Sequence, residues 1–172
     1  MIVFLDFDGP LHPDEAYNLP GRGIVLKTAN LPDEYQDAEL FCYMPLLENV
    51  LADYPEVRLV LSTTWAESLG LEGAKQWLSP ALQARVIGAT HHPQHTPRWH
   101  YQSRFQQILD YVAHHRLGSQ WLAIDNDNTG WPDNQYDNLV LTDDYAGLSD
   151  PKTLALLRAR LDLLRLGKLG CP

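Results

Sequence analysis

The chain begins with an unbroken run of four apolar residues, Ile2 to Leu5, that ends at the carboxylate of Asp6. A strand with one face in water alternates apolar and polar residues, whereas an unbroken apolar run is typical of a strand covered on both faces. Such strands lie inside parallel sheets that carry helices on each side. We therefore expect an α/β fold in which residues 2–5 form a central strand.

Further apolar runs alternate with stretches of helical periodicity. Strands are predicted at residues 57–61, 85–87, 121–124 and 139–141, and helices at 46–54, 105–112 and 151–164. This alternation predicts a three-layer, doubly wound, Rossmann-like parallel sheet. A length of 172 residues is appropriate for one domain, so we expect a single domain over residues 1–172.

Residues 12–41 do not follow the alternation, because they are rich in proline, glycine and charge and show little periodicity. At about 30 residues, the segment is longer than an ordinary connection between a strand and a helix. We interpret it as a flap or small cap inserted into the domain.

A second irregular segment, residues 89–102, contains His91, His92, His95 and His100. The spacing of these histidines matches no zinc signature and no cysteine accompanies them, so a zinc site is disfavoured. The segment is interpreted either as a rim that contacts substrate, beside Trp99, or as an ordinary surface loop.

The candidate catalytic and metal-binding residues follow the predicted strands, at the edge where doubly wound sheets bind ligands. They are Asp6 and Asp8 after the first strand, Ser62 and Thr63 after the second, and Asp125 and Asp127 after residues 121–124. Two carboxylates about 4 Å apart repel by roughly 4 kcal/mol at an effective dielectric constant near 20, so the cluster requires a cation or a shared proton. Mg²⁺ suits such a site because it takes oxygen ligands from one or two carboxylates and from substrate phosphate.

Three motifs carry a resemblance to the haloacid dehalogenase (HAD) superfamily of aspartate-nucleophile phosphohydrolases. Phe4-Leu5-Asp6-Phe7-Asp8-Gly9 resembles its first motif, Leu59-Val60-Leu61-Ser62 its second, and Ile124-Asp125-Asn126-Asp127 its acidic fourth. More narrowly, Leu61-Ser62-Thr63-Thr64-Trp65, and Leu139-Val140-Leu141-Thr142 followed by Gly147-Leu148, are similar to small HAD domains of bacterial RNA-repair proteins. The resemblance follows the family's order through most of the chain and implies a HAD-like core with a minimal cap.

The resemblance implies a Mg²⁺-dependent phosphatase that acts on a phosphomonoester. Asp6 would attack phosphorus to form an aspartyl-phosphate, and Asp8 would protonate the leaving oxygen and then activate water. Ser62 would hydrogen-bond to a transferring phosphoryl oxygen, with the backbone N–H of Thr63 beside it.

The resemblance also implies the metal ligands. These are the Asp6 carboxylate, the backbone carbonyl of Asp8, the Asp125 carboxylate, and Asp127 as a direct or water-mediated ligand.

The third motif of the family requires a cation upstream of Asp125, and the candidates are Arg98 and Arg104. Arg104 is favoured because it opens a predicted helix that a short loop connects to the strand carrying Asp125. The family more often has lysine here, but arginine can hold a phosphate through two parallel hydrogen bonds. Arg98 remains a candidate for substrate binding.

Two residues depart from the family pattern and keep alternatives open. Pro10 stands where threonine or valine is common, and Asn126 replaces a frequent acid. Both departures favour a catalytically weak or inactive binding or regulatory module. A phosphotransferase would use the same residues as a phosphatase.

Charge and composition limit the partners. The 13 basic and 22 acidic residues give a net charge of −9, so a broad electrostatic surface for nucleic acid or an anionic membrane is not expected. The expected partner is a phosphorylated small molecule or a nucleic-acid end, and the oligomeric state is left open. The short N-terminal apolar run and the two cysteines, Cys42 and Cys171, favour a cytoplasmic protein without a membrane span.

Overall fold

A parallel five-stranded sheet forms the centre of the protein in a computed structural model, which describes residues 1–92 and 99–169. The strands are β1 (Ile2–Leu5), β2 (Ala16–Leu19), β3 (Gly23–Leu26), β4 (Arg58–Leu61), β5 (Val86–Ala89), β6 (Trp121–Asp125) and β7 (Leu139–Leu141). The sheet has the order β5-β4-β1-β6-β7, and all its pairs are parallel. The central position of β1 confirms the prediction from its unbroken apolar run.

The helices are α1 (Met44–Ala52), α2 (Thr64–Lys75), α3 (Pro80–Gln83), α4 (Arg104–His115) and α5 (Pro151–Arg165). The three predicted helices correspond to α1, α4 and α5, whereas α2 and α3 were not predicted. Gly70, at φ +73°, interrupts α2 and obscures its helical periodicity. No helix in residues 1–92 and 99–169 combines the length and apolar character that crossing a membrane requires.

The side chains of β1 alternate between two hydrophobic clusters, one on each face of the sheet. Val3 and Leu5 belong to the cluster that contains Leu47 of α1 and the buried leucines of α5, whereas Phe4 belongs to the cluster around Ile108 of α4. Burial of each such side chain stabilises the fold by roughly 1.5–3 kcal/mol. This packing produces the three-layer α/β architecture predicted from the sequence.

The segment interpreted as a flap contains the antiparallel hairpin β2–β3 and two short 3₁₀ helices, Thr28–Asn30 and Asp33–Tyr35. Ala16 and Ile24 of the hairpin pack against the larger core cluster. His12 and Phe41, at the two ends of the segment, are buried. The division of the chain into one domain and a flap stays a prediction.

Candidate active site

The register of the sheet brings three polar residues to one edge. Leu5 of β1 lies opposite Leu61 of β4 and Ile124 of β6. Because these strands are parallel, the residues that come next along the three chains lie at the same level of the sheet edge. Those residues are Asp6, Ser62 and Asp125, and all three are buried.

Arg104 lies between two of these carboxylates. Its Nη2 is 3.1 Å from Oδ2 of Asp6, and its Nε is 3.0 Å from Oδ2 of Asp125. The structure therefore brings together Asp6, Asp125 and the arginine favoured from the sequence. Arg98, the other predicted cation, lies outside the described residues, and its role in substrate binding stays a prediction.

The start of α4 explains why Arg104 reaches this position. The hydroxyl of Ser103 accepts a hydrogen bond from the backbone N–H of Gln106, so the helix begins at Arg104. One turn later, Oε1 of Gln107 accepts from Nη1 of Arg104 at 3.2 Å, while its Nε2 donates to the carbonyl of Trp99 at 3.0 Å. The guanidinium is thus held from its own helix as well as by the carboxylates.

Burial dominates the electrostatics of the cluster. It raises the pKa of Asp6 to about 6, an effect that Arg104 opposes and the charge of Asp8 increases. It also raises the pKa of Asp125 well above its ordinary value, with a further contribution from Asp6. Burial alone would lower the pKa of Arg104, but the two carboxylates raise it. Because Asp6 and Asp125 share a single guanidinium, the cluster favours the binding of a second cation.

The donor atoms of this cluster suit Mg²⁺. Among the residues that the structure describes, no group of three or more His, Cys, Asp or Glu side chains is arranged to hold a metal ion. Mg²⁺ does not require such a group, because it keeps several waters and binds through one or two carboxylates. Asp6 and Asp125 supply them, and the buried Oδ2 of Asp125 lacks a well-aligned hydrogen bond despite its ionic contact with Arg104.

Asp127 lies on the exposed loop after β6. Its backbone N–H donates to Oδ1 of Asp125 at 2.9 Å, and its own Oδ1 accepts from the N–H of Thr129 at 2.7 Å. The residue therefore orders the loop and orients Asp125. Its assignment as a metal ligand stays a prediction.

Ser62 presents a buried hydroxyl with no hydrogen-bond partner in the described structure. A buried polar group without a partner costs roughly 1–3 kcal/mol, a cost that a ligand oxygen would remove. Next to it, Thr63 hydrogen-bonds to Asp6 through its side chain and caps α2 by accepting from the N–H of Trp65. The backbone N–H groups at the start of α2 therefore lie close to the Asp6 carboxylate.

Asp8 lies apart from the arginine and binds two side chains that sequence reasoning did not assign to the site. Nε1 of Trp65 is 3.1 Å from Oδ1 and 3.0 Å from Oδ2 of Asp8, and Nε2 of His12 is 3.1 Å from Oδ1. The signal for His12 was its position four residues beyond Asp8, across the turn at Gly9. Trp65 carried no local signal, because its contact joins residues 57 positions apart.

Asn126 has a structural reason to replace the acid common in the family. Its Nδ2 donates to Oδ2 of Asp14 at 3.1 Å and to Oδ1 of Asp144 at 2.8 Å, so the amide joins two acidic loops. Its side chain also packs on Gly9, where a β-carbon would lie 2.5 Å from its Cγ. An acid at this position would place a third carboxylate between Asp14 and Asp144.

The histidine-rich segment is described only in part, because residues 93–98, including His95, lie outside the described residues. Nδ1 of His100 is 2.7 Å from Oε1 of Glu67. The ring of His91 packs against Trp99, with ring centroids 5.3 Å apart. The interpretation of the segment as a substrate rim or an ordinary loop stays a prediction.

Comparison with known proteins agrees with the motifs. A family model described as the HAD domain in Swiss Army Knife RNA repair proteins matches residues 2–153, a stretch that contains each site residue discussed above. Searches of curated proteins and of solved structures returned no match.

Proposed function

The chain belongs to the HAD domains of Swiss Army Knife RNA repair proteins, and on this basis we propose that it is a Mg²⁺-dependent phosphatase that acts through an aspartyl-phosphate. The family itself indicates chemistry of the hydrolase or phosphatase type. The observation that carries the finer proposal is the meeting of Asp6, Asp125 and Arg104 beside the unpartnered hydroxyl of Ser62.

Asp6 is the proposed nucleophile. Its Oδ1 accepts from the backbone N–H of Phe7 at 2.7 Å and its Oδ2 binds Arg104, so the carboxylate is held in one orientation. One of its oxygens forms a bond to phosphorus as the bond from phosphorus to the leaving oxygen breaks. Arg104 and Ser62 then stabilise the transferring phosphoryl group, whose chemistry depends mainly on positioning and charge.

Asp8 is the proposed acid and base. Its proton passes to the leaving oxygen during the first step. Its carboxylate then accepts a proton from the water whose oxygen bonds to phosphorus as the bond from phosphorus to Asp6 breaks, which releases phosphate and restores the Asp6 carboxylate. Mg²⁺, when bound by Asp6, Asp125 and the carbonyl of Asp8, would offset negative charge on the carboxylates and the phosphate.

The proposed substrate is a phosphorylated RNA end, and phosphorylated small molecules are the alternative. The family's description favours RNA, whereas the net charge of −9 disfavours a broad electrostatic surface. Aromatic rings beside the site offer another means of binding RNA, by stacking on a base. Tyr101 is 89% exposed, and it shares a short helix with Trp99, whose ring lies 5.9 Å from the guanidinium carbon of Arg104.

The test is phosphate release from 5′- and 3′-phosphorylated oligoribonucleotides, nucleotides, sugar phosphates and p-nitrophenyl phosphate, with Mg²⁺ or with EDTA. We expect release that requires Mg²⁺ and that Asp6→Asn abolishes. Asp137→Asn is the control, because this exposed carboxylate binds Arg160 away from the cluster. Activity that survives Asp6→Asn would contradict the mechanism.

Two further measurements separate the alternatives. Mg²⁺ binding without turnover, and without trapping of beryllofluoride at Asp6, would indicate a binding module. Transfer of phosphate to an added alcohol in preference to water would indicate a phosphotransferase.

A further inference from the structure

Both carboxylate oxygens of Asp8 are held by side chains, one from the same loop and one from the start of α2. The indole N–H of Trp65 lies 3.1 Å from Oδ1 and 3.0 Å from Oδ2, and the His12 ring reaches Oδ1 through Nε2 at 3.1 Å. The Asp8 side chain is 18% exposed, whereas that of His12 is fully buried. The carboxylate is therefore fixed on its protein side and open to solvent on the other.

The buried position of His12 is unfavourable for packing alone. Its Nδ1 has no hydrogen-bond partner in the described structure, and a buried polar atom in this condition costs roughly 1–3 kcal/mol. The ring lies 5.0 Å from that of Phe41 and 5.9 Å from that of Trp65, surroundings that an apolar side chain would suit better. Its contact with Asp8 is the feature that an apolar residue could not supply.

Trp65 is held rigidly at the start of α2. Its ring makes edge contacts with Phe7 at 5.7 Å, Phe41 at 5.3 Å and Trp77 at 5.1 Å. Each such aromatic pair contributes about 0.5–1.5 kcal/mol beyond the burial of its area. An indole fixed in this way directs its N–H along one line, so the Asp8 carboxylate has little freedom to rotate.

A cavity of about 90 Å³ adjoins this arrangement. Its lining includes Asp8 and Trp65 together with Asn18 and Ile24 of the β2–β3 hairpin. The space is suited to the atoms nearest the scissile bond on the leaving side of a phosphomonoester.

We infer that Trp65 and His12 are positioning residues that hold Asp8 in line with the leaving oxygen, an inference that rests on the proposed phosphatase function. Indole nitrogen is a donor only and cannot take up the transferred proton. Trp65 thus acts on the reaction through Asp8. Loss of the alignment slows the displacement at phosphorus for a leaving oxygen that needs a proton, and has little effect where the leaving group departs unprotonated.

The experiment compares substrates that differ in their need for an acid. An alkyl phosphate requires protonation of its leaving oxygen, whereas 2,4-dinitrophenyl phosphate has a leaving group that departs unprotonated. Because positioned acids contribute about 10²–10⁴-fold, we expect Trp65→Phe and His12→Phe to lower kcat/KM for the alkyl phosphate by about 10- to 100-fold. The kcat/KM for dinitrophenyl phosphate should fall by less than about 3-fold, because this ratio reports the formation of the aspartyl-phosphate and not its hydrolysis, which also uses Asp8.

Two variants serve as controls. Trp77→Phe alters the same aromatic cluster without a bond to Asp8 and should leave the ratio of the two rates unchanged. His12→Gln retains an N–H in the place of Nε2 and should recover much of the rate lost in His12→Phe.

Equal losses with both substrates, or the same loss in Trp77→Phe, would overturn the inference, because a merely structural role does not distinguish leaving groups. If Trp65→Phe does not fold, the His12→Phe and His12→Gln pair decides the question alone. Absence of wild-type activity with every phosphomonoester would instead contradict the proposed function.

Discussion

Nη2 of Arg104 lies 3.1 Å from Oδ2 of Asp6, and the two side chains are only 10% and 5% exposed. The contact joins the first residue of α4 to the loop after β1, and Arg104 extends it to Asp125. A buried ion pair is costly to break from one side, because the remaining partner keeps an uncompensated charge. Arg104, the central cation of the site, therefore also stabilises the fold.

Arg104→Met should lower the free energy of unfolding by about 3–5 kcal/mol and abolish phosphate release. The physical reason is that Asp6 and Asp125 would remain buried without their shared cation. Urea unfolding at pH 7.5 measures the effect. The control is Arg158→Met, which removes an exposed ion pair with Asp53 and should cost no more than about 1 kcal/mol. Similar losses in the two variants would contradict the prediction.

Asp6→Asn should abolish activity and increase stability at pH 7.5 by about 1–3 kcal/mol. Burial raises the pKa of Asp6 from 3.8 to about 6 although Arg104 opposes the rise, so the folded state binds this proton more tightly than the unfolded state. In the variant, Arg104 keeps its ion pair with Asp125. In the wild-type protein, the stabilisation from protonated Asp6 is complete below pH 4 and is lost as the pH rises through 6. Asparagine stays neutral at every pH, so the variant does not lose it. Urea unfolding in EDTA at pH 4 and pH 7.5 should show the gain only at the higher pH.

Asp150→Asn, at the start of α5, is a control in which the pKa shift has the opposite sign. The N–H groups of Lys152 and Thr153 lower the pKa of Asp150, so its ionised form favours the folded state. This contribution is present above the ordinary carboxylate pKa and is lost as the pH falls. Asp150→Asn should therefore not stabilise the protein at pH 7.5. An equal gain from both variants would show that net charge is responsible, and not burial.

The central sheet and most of the charged cluster could be predicted because their signals are local. The apolar run at Ile2–Leu5 and the carboxylate that follows it determine where a strand ends and where Asp6 lies. The contacts of Asp8 with His12 and Trp65 could not be predicted, because they depend on how the start of α2 packs against the first loop. Gly70 also interrupts α2 and removes the periodicity that would have revealed it.

Gly147→Ala should lower both stability and kcat. A β-carbon at this position would lie 2.2 Å from the carbonyl oxygen of Gly9, and φ is +50°. The variant must displace the turn that carries Asp8. Gly167→Ala is the matched control, because its φ is +67° but nothing lies near a new β-carbon.

Comparing Gly147→Ala with Gly167→Ala separates the cost of a positive φ from the cost of overlap between the new β-carbon and the carbonyl oxygen of Gly9. Strain at a positive φ costs about 1–2 kcal/mol and applies to both variants. Overlap should add about 1–3 kcal/mol for Gly147→Ala alone. Thermal unfolding and phosphate release measure the two effects, and equal stability losses would contradict the close approach of the two loops.

Asn126→Asp should destabilise the protein by about 1 kcal/mol at pH 7.5, and the loss should diminish toward pH 4. The variant replaces a donor to Asp14 and Asp144 with a third carboxylate. Burial already raises the pKa of Asp14, and the Asn126 hydrogen bond opposes that rise. Asn128→Asp is the control, because Asn128 donates to the hydroxyl of Tyr136 instead. An unchanged midpoint in Asn126→Asp would show that the bridge contributes nothing.

Tyr101→Ala should weaken the binding of phosphorylated RNA without impairing the chemical step. If the ring stacks on a base beside the phosphate, its loss should raise KM for an oligoribonucleotide roughly 5- to 150-fold, which corresponds to about 1–3 kcal/mol per stacked base. kcat should stay within about 2-fold, because Tyr101 is exposed and lies outside the buried Asp6–Arg104 cluster. The KM for p-nitrophenyl phosphate should not change, since this substrate has no base. Tyr136→Ala controls for the loss of an exposed ring elsewhere, and an equal rise in KM for both substrates would exclude stacking as the cause.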